Sequence, residues 1–367
     1  MENLIKKLPA KWIPFVILLI WGAFLGIGIK LSFYRESMLT VAIIFTIILL
    51  IAWITIIIMA VRKSKKESDI RRMSETAFAG SRRVNNLEDK LLFAINALRE
   101  SKVGKVVGKA DAQYAIPWYM LIGPIGSGKT NLFMNSGLDF KLHDPSVTKV
   151  PAGATRDCNW FFENEAIIMD TSGRYVTQPD KSIDKAEWLV FLENLKRYRK
   201  AKPMDGIIIA VDISKILPAM EEEIEYEAQN IRDKIDDVVE KLGISLPVYL
   251  VFTKCDMIQG FSDFFNKLSK EERNQILGCS FTAQQQNNMA TTFKDEWFSL
   301  CSSLKSYIHT ALTPDTDMRL RRGIYLFPKQ LELSFGKINS FVSILSRPSI
   351  YLERPTLQGF YLTSSLQ

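Results

Sequence analysis

The sequence predicts an α/β fold: a mostly parallel sheet with helices on both faces, preceded by a two-helix transmembrane hairpin and followed by a helical extension. Three observations lead there. Short apolar runs alternate with helix-length stretches between residues 114 and 259. A glycine-rich turn separates one such run from a helix. Two long uncharged runs fill most of the first 61 residues.

The uncharged runs come first in the chain. Residues 12–29, "WIPFVILLIWGAFLGIGI", and 38–61, "MLTVAIIFTIILLIAWITIIIMAV", contain no charged side chain. A membrane-spanning helix needs about 20 apolar residues, which the second run exceeds and the first narrowly meets. A cleaved signal peptide is the alternative for the first, but no small-residue cleavage site follows it and a second run arrives at once. Lys6, Lys7 and Lys11 flank one side, and Arg62, Lys63, Lys65, Lys66, Arg71 and Arg72 the other, whereas the loop between holds only Lys30 and Arg35. Basic flanks stay on the cytoplasmic side, so everything after Arg62 is expected in the cytoplasm.

Residues 62–113 are charged, with apolar residues at helical spacing in "LEDKLLFAINALRES". They read as an amphipathic helical linker, serving for packing or as a spacer.

The domain at 114–259 begins with "WYMLI", a strand, and runs into Gly123-Pro124-Ile125-Gly126-Ser127-Gly128-Lys129-Thr130. This is the complete phosphate-loop pattern, G-x-x-x-x-G-K-T. Its glycines let backbone amides turn inward around phosphates, with a helix start behind them. Lys129 reaches the outer phosphates and the Thr130 hydroxyl ligates Mg²⁺. A second strand, "AIIMD", delivers Asp170 towards the metal, and Gly173 follows at the spacing at which an amide senses a γ-phosphate. Between them, Thr155 stands where a mobile loop supplies a second hydroxyl to the metal; a plain loop threonine is the alternative. The strand "PVYLVFT" ends in Thr253-Lys254-Cys255-Asp256. A carboxylate such as that of Asp256 accepts guanine's N1–H and exocyclic amine, while the lysine stem lies along the ring. Adenine offers an acceptor at N1 instead, so the loop favours GTP over ATP. Arg174 occupies the place where a glutamine would orient attacking water in a Ras-like switch, so hydrolysis is expected to be slow or partner-dependent. Together these elements predict a P-loop GTPase-like domain with the nucleotide at the C-terminal edge of the strands.

Composition excludes other classes. The net charge of +7 lies largely beside the apolar runs, and no basic face interleaved with aromatics points to nucleic acid. Cys158, Cys255, Cys279 and Cys301 are widely spaced and form neither a zinc motif nor a disulfide framework. No L-S-G-G-Q signature of an ABC-type ATPase occurs.

Two N-terminal spans, "PWYMLIGPIGSGKTNLFMNSGLDF", "ATRDCNWFFENEAIIMDTSGRY", "GIIIAVDI", "PVYLVFTKCDMIQGFSDFF" and "RPTLQGFYLTSS" together resemble the IcmF/TssM family, along essentially the whole chain. The resemblance implies a multi-pass protein of the bacterial inner membrane with the bulk of this chain cytoplasmic. It implies a scaffold role in a type VI secretion membrane complex, homo-oligomeric within it. The partners it implies are a DotU/TssL-like inner-membrane protein and components of a baseplate that docks there. Residues 260–367 would be the family's helical extension. Members typically continue through another span into a periplasmic region. Two alternatives stay open: a membrane-tethered ATPase or GTPase that energises transport, and a type IVB accessory protein in which nucleotide is structural.

Overall fold

The computed structural model describes residues 82–138, 142–143, 155, 158–162, 165–177, 181–265, 268, 272, 275–312, 317–347 and 355–364. Both expected spans, 12–29 and 38–61, lie outside the described residues. Among those described, no helix is long and apolar enough to cross a membrane.

Among the described residues eight strands form one sheet: β1 (Trp118–Ile122), β2 (Leu142–His143), β3 (Cys158–Phe162), β4 (Ile167–Thr171), β5 (Gly206–Asp212), β6 (Pro247–Thr253), β7 (Gly278–Ser280) and β8 (Thr356–Leu362). Their order is β2-β3-β4-β1-β5-β6-β8-β7. The centre is parallel: β4 with β1, β1 with β5, β5 with β6, and β6 with β8. Antiparallel strands close both edges, β2 and β3 on one side and β7 on the other. The strands expected from "WYMLI", "AIIMD" and "PVYLVFT" are present as β1, β4 and β6, and the apolar run "GIIIAVDI" supplies β5. They read as continuous apolar runs because parallel strands are covered on both faces.

The α-helices among the described residues are α1 (Arg82–Glu100), α2 (Lys102–Val107), α3 (Lys129–Met134), α4 (Arg174–Thr177), α5 (Lys181–Tyr198), α6 (Ile213–Ile216), α7 (Glu221–Leu242), α8 (Phe261–Phe265), α9 (Met289–Ala311), α10 (Met318–Leu333) and α11 (Phe335–Leu345). Alternation along the strands sorts them to faces. Leu121, in register with Ile208 and through it with Tyr249, points to one face. There Leu121 and Ala210 pack with Phe133 of α3, Phe161 and Ile168. Phe252 points the other way and meets Trp297 of α9, which also lies 5.4 Å from Phe360 of β8. Helices therefore cover both faces, as expected. In α7, Glu221, Glu222 and Glu223 fill the first turn and Gly243 stops the helix with φ 72°. Acidic residues suit the positive end of a helix, and glycine suits a left-handed stop.

Two parts refine the sequence reading. Of the two uses open to the helical linker, packing holds for α1: Leu91 and Ala94 are fully buried, and Tyr198 of α5 donates to Glu88. The expected helical extension does hold α9, α10 and α11, but β7 and β8 from the same stretch complete the sheet. The physical reason is the open edge of β6, whose unpaired backbone groups need a partner strand.

Candidate nucleotide site

Strand β1 ends at Ile122 and the chain turns through Gly123–Gly128 before α3 begins. The turn demands glycine in two ways. Gly126 and Gly128 have φ of 77° and 78°, a region that side chains avoid. Gly123 is pressed on β5, so that a Cβ there would lie 2.3 Å from the Ala210 carbonyl oxygen. Lys129 is buried, and its Nζ donates to the carbonyls of Gly123 at 2.7 Å and Pro124 at 2.8 Å. Burial lowers its pKa to about 8, with the Asp170 carboxylate acting in the opposite direction. Ser127 Oγ is enclosed without a hydrogen-bond partner.

The three expected metal ligands meet beside this lysine. Thr130 Oγ1 donates to Asp170 Oδ2 at 2.7 Å, Thr155 Oγ1 donates to the same oxygen at 3.1 Å, and the two hydroxyls are 3.1 Å apart. Residues 25 and 40 positions apart from Thr130 are thus gathered at one point. Ser172 Oγ donates to the Thr155 carbonyl at 2.6 Å and holds the two segments together. Asp170 is fully buried, and its Oδ1 has no hydrogen-bond partner. Burial raises its pKa, while Lys129, the two threonine hydroxyls and the Asn159 side chain act to lower it. Two hydroxyls and a carboxylate with one oxygen left over form a hard-oxygen donor set that suits Mg²⁺, which keeps few protein ligands and several waters.

Gly173 lies on the phosphate loop itself: a Cβ there would be 2.5 Å from the Ile125 amide nitrogen and 2.7 Å from the Pro124 carbonyl carbon. Arg174 turns away from the loop. Its Nη1 binds Asp184 at 2.5 Å, its Nη2 binds Glu187, and the Tyr175 hydroxyl donates to the same Glu187 oxygen at 2.8 Å. The place where a glutamine would orient water is therefore taken by an ion-paired arginine.

The loop after β6 sits next door. Thr253 Oγ1 donates to the Ser127 carbonyl at 2.7 Å and to that of Val211 at 3.1 Å. Lys254 has φ 58°, the one positive value at a non-glycine among the described residues, and its Nζ pairs with Asp212 Oδ2 at 2.6 Å. Asp256 accepts a hydrogen bond from Ser364 Oγ. The Cys255 amide donates to the Thr363 carbonyl at 3.1 Å, and the Thr363 amide to Phe252 at 2.8 Å. A cavity of about 180 Å³ opens here, lined by Gly128, Asn131, Asn135, Lys254, Thr363 and Ser364 among others. It continues directly from the phosphate loop. A larger cavity of about 670 Å³ on the α6–α7 flank is walled by Glu222, Glu223 and Glu227, and lacks the glycine backbone a phosphate needs.

The structure thus brings together Gly123 to Thr130, Thr155, Asp170, Gly173, Thr253, Lys254 and Asp256, all expected from sequence. Asp212, Thr363 and Ser364 are additional. Neither of the last two carries a clear signal: in "TLQGFYL" the buried Leu357, Phe360 and Leu362 do not keep a period of two, because the pairing with β6 shifts register there.

Comparison with known proteins places the chain. A family model described as the IcmF-related N-terminal domain matches residues 181–367. The chain is 35% identical over 310 residues to the type VI secretion system component TssM1 of Pseudomonas aeruginosa, covering 82% of this chain and 28% of that relative. The chain therefore spans under a third of the relative's length. Among solved structures, it shares 19% identity with the signal recognition particle receptor SRb-GTP/SRX complex of Chaetomium thermophilum, at TM-score 0.26, covering 39% of this chain and 71% of that one. A GTP-binding protein of Sulfolobus solfataricus in complex with GDP gives 18% and TM-score 0.24, covering 53% and 57%. These structural likenesses are too partial to bear on the site, whereas the identity to TssM1 and the family match are decisive: the chain belongs to the IcmF/TssM family.

Proposed function

We propose that this chain is the anchored, cytoplasmic part of a type VI secretion membrane complex, and that its sheet domain is a guanine-nucleotide switch. The observation that carries the reading is the meeting of Thr130, Thr155 and Asp170 beside Lys129. Hydrogen bonding alone accounts for the contacts at Asp170 Oδ2, but the convergence of three segments on one hard-oxygen cluster beside a buried lysine supports a shared ligand. Gly123 to Gly128 would wrap the β- and γ-phosphates, Lys129 would exchange its loop carbonyls for phosphate oxygens, and Thr130, Thr155 and Asp170 would hold Mg²⁺. The metal would neutralise phosphate charge when bound. Gly173 would offer its amide to the γ-phosphate, and so report whether the nucleotide is a tri- or diphosphate. Thr253, Lys254 and Asp256 would hold the base, with Ser364 orienting the Asp256 carboxylate. That carboxylate matches guanine better than adenine.

Arg174, committed to Asp184 and Glu187, is not poised to orient water, which supports a slow turnover and a signalling use of the nucleotide. In this reading the chain divides near 61, 113 and 259, the last boundary being crossed by β7 and β8, which complete the sheet. Residues 12–29 and 38–61 would anchor the chain in the inner membrane and its bilayer. A DotU/TssL-like protein, baseplate components and further copies of the chain would be its partners.

A second reading, a tethered scaffold that needs no nucleotide, is favoured by one fact: Lys129 is already satisfied by the carbonyls of its own loop. Calorimetry on the detergent-purified chain with Mg–GTP and Mg–ATP separates the two. The switch reading expects binding that Lys129→Ala abolishes, and a GTP preference that Asp256→Ala removes. Absence of heat with either nucleotide leaves the scaffold.

A further inference from the structure

The cavity of about 670 Å³ on the α6–α7 flank has an apolar floor, formed by Ile216, Pro218 and Ala219. That floor is fixed from its own side. Asp212 caps α6 by accepting from the Ser214 amide at 3.0 Å, and Lys337 of α11 donates to the carbonyls of Leu217 at 2.5 Å and Ala219 at 2.8 Å. A groove built before anything enters it spends less free energy on ordering when a partner binds. Tyr226 forms part of the wall and is 62% exposed, and Met220, next in the chain after Ala219, is 67% exposed. The rim is more acidic than the helix requires. Five glutamates fall within "EEEIEYE", residues 221–227. Glu221, Glu222 and Glu223 suit the positive end of α7, and Glu223 accepts from the Met220 amide at 2.9 Å. That helix-end effect fades beyond the first turn, yet Glu227 also lines the cavity, with its Oε1 enclosed and without a hydrogen-bond partner. Burial pushes its carboxyl up, with Lys215 acting against that rise and Asp212 adding to it. Lys215 lines the cavity too, but its Nζ reaches towards the Ile125 carbonyl at 3.5 Å.

We propose that the α6–α7 groove is a docking site for a cationic amphipathic segment of a partner protein. A bulky apolar side chain of that segment enters between Ile216 and Tyr226, and a lysine or arginine beside it pairs with Glu222 and Glu227. The chemistry of the groove selects this occupant over others. An anionic lipid surface is repelled by the glutamates. A wholly apolar partner leaves the enclosed Glu227 oxygen unpaired, which is costly for a buried acceptor. A wholly polar cation leaves the apolar floor and Tyr226 uncovered. An amphipathic segment with cations flanking its apolar anchors meets both demands, in the manner of helices that lie in apolar grooves. The groove needs no bound nucleotide, so its use stands apart from that of the phosphate loop.

The test is fluorescence anisotropy with the full chain in nanodiscs of neutral phosphatidylcholine, with binding to empty nanodiscs subtracted. The probe is a labelled synthetic peptide whose leucines recur at every third or fourth position, with lysines between them, so that one helical face is apolar. Two control peptides are a scrambled one of the same composition and one with glutamate in place of each lysine. The first peptide is expected to bind, and both controls to bind at least about tenfold more weakly. Glu222→Lys should weaken binding about tenfold, because an exposed ion pair is replaced by repulsion. Tyr226→Ala should cost a similar factor through the lost aromatic wall, and Glu227→Gln should weaken binding as well. Glu193→Lys, which makes the same charge change at an exposed position of α5, should leave affinity unchanged. Equal losses in Glu193→Lys and Glu222→Lys would mean net charge alone is read, and would overturn the proposal. So would equal binding of either control peptide, or no binding of the first. Should Tyr226→Ala fail to fold, Glu222→Lys at its exposed position carries the comparison.

Discussion

The Thr253 hydroxyl donates to the Ser127 carbonyl at 2.7 Å across 126 residues of sequence, tying the loop after β6 to the phosphate loop. The same oxygen reaches Val211 at the end of β5. One buried hydroxyl thus sets the spacing between the part of the site suited to a base and the part suited to phosphates. Neither loop can shift without breaking that bond.

Thr253→Val keeps the side chain's shape and removes the donor. The Ser127 carbonyl then loses a buried partner, at a cost of about 1–3 kcal/mol. Stability falls by that amount in a urea titration, and GTP affinity should fall about tenfold, equivalent to about 1.4 kcal/mol. Thr253→Ser, which restores the donor, should recover most of both. Unchanged affinity in the valine variant would mean that the two loops do not act as one site.

The same bond shows how far the site could be read from the chain alone. Gly123 to Thr130, Asp170, Gly173 and the Thr253–Asp256 loop were legible because each chemistry is carried by a short motif at the end of an apolar run. Thr155 was legible only as one of two readings, since a single threonine carries no pattern. Asp212 and Ser364 carry no local signal for their roles: they meet Lys254 and Asp256 across 42 and 108 residues, through strand neighbours that only the fold supplies. Strand β8 was hidden for a related reason. Its surroundings, α9 to α11, are amphipathic helices, and a single seven-residue strand among them reads as more of the same.

Cys255 offers a pH signature of the loop after β6. Burial pushes its thiol up to about 12 from an ordinary 9, with the hydrogen bond at Thr363 acting the other way and the carboxylates of Asp256 and Asp212 adding to the rise. In the unfolded chain the thiol ionises near 9, whereas in the folded chain it keeps its proton. Between pH 9 and 12 the native state therefore binds more protons, and stability falls as pH rises, by at most about 1.4 kcal/mol per unit. Below pH 8 the group contributes no pH dependence. Urea midpoints at pH 7.5 and 10.5 should show wild type losing about 2 kcal/mol more than Cys255→Ala over that interval. Equal losses would mean that the thiol is accessible in the folded state, which a thiol-reactive dye would confirm independently.

Phe360 bears on whether residues after 260 form a separate body or part of the sheet domain. It is fully buried in β8, with ring centroids 5.1 Å from Phe293, 5.4 Å from Trp297 and 6.1 Å from Phe281. It therefore links α9 to a strand hydrogen-bonded along β6. Phe360→Ala removes an aromatic ring from a packed core, a change that costs about 3–5 kcal/mol. If the extension were independent, that loss would fall on α9 to α11 and leave nucleotide binding intact. The strand pairing says otherwise, because β8 carries Thr363 and Ser364 to Cys255 and Asp256. Thermal unfolding of the variant should show one transition lowered as a whole, and GTP affinity should drop together with it. Two separated transitions with unchanged affinity would place the boundary at residue 260 after all.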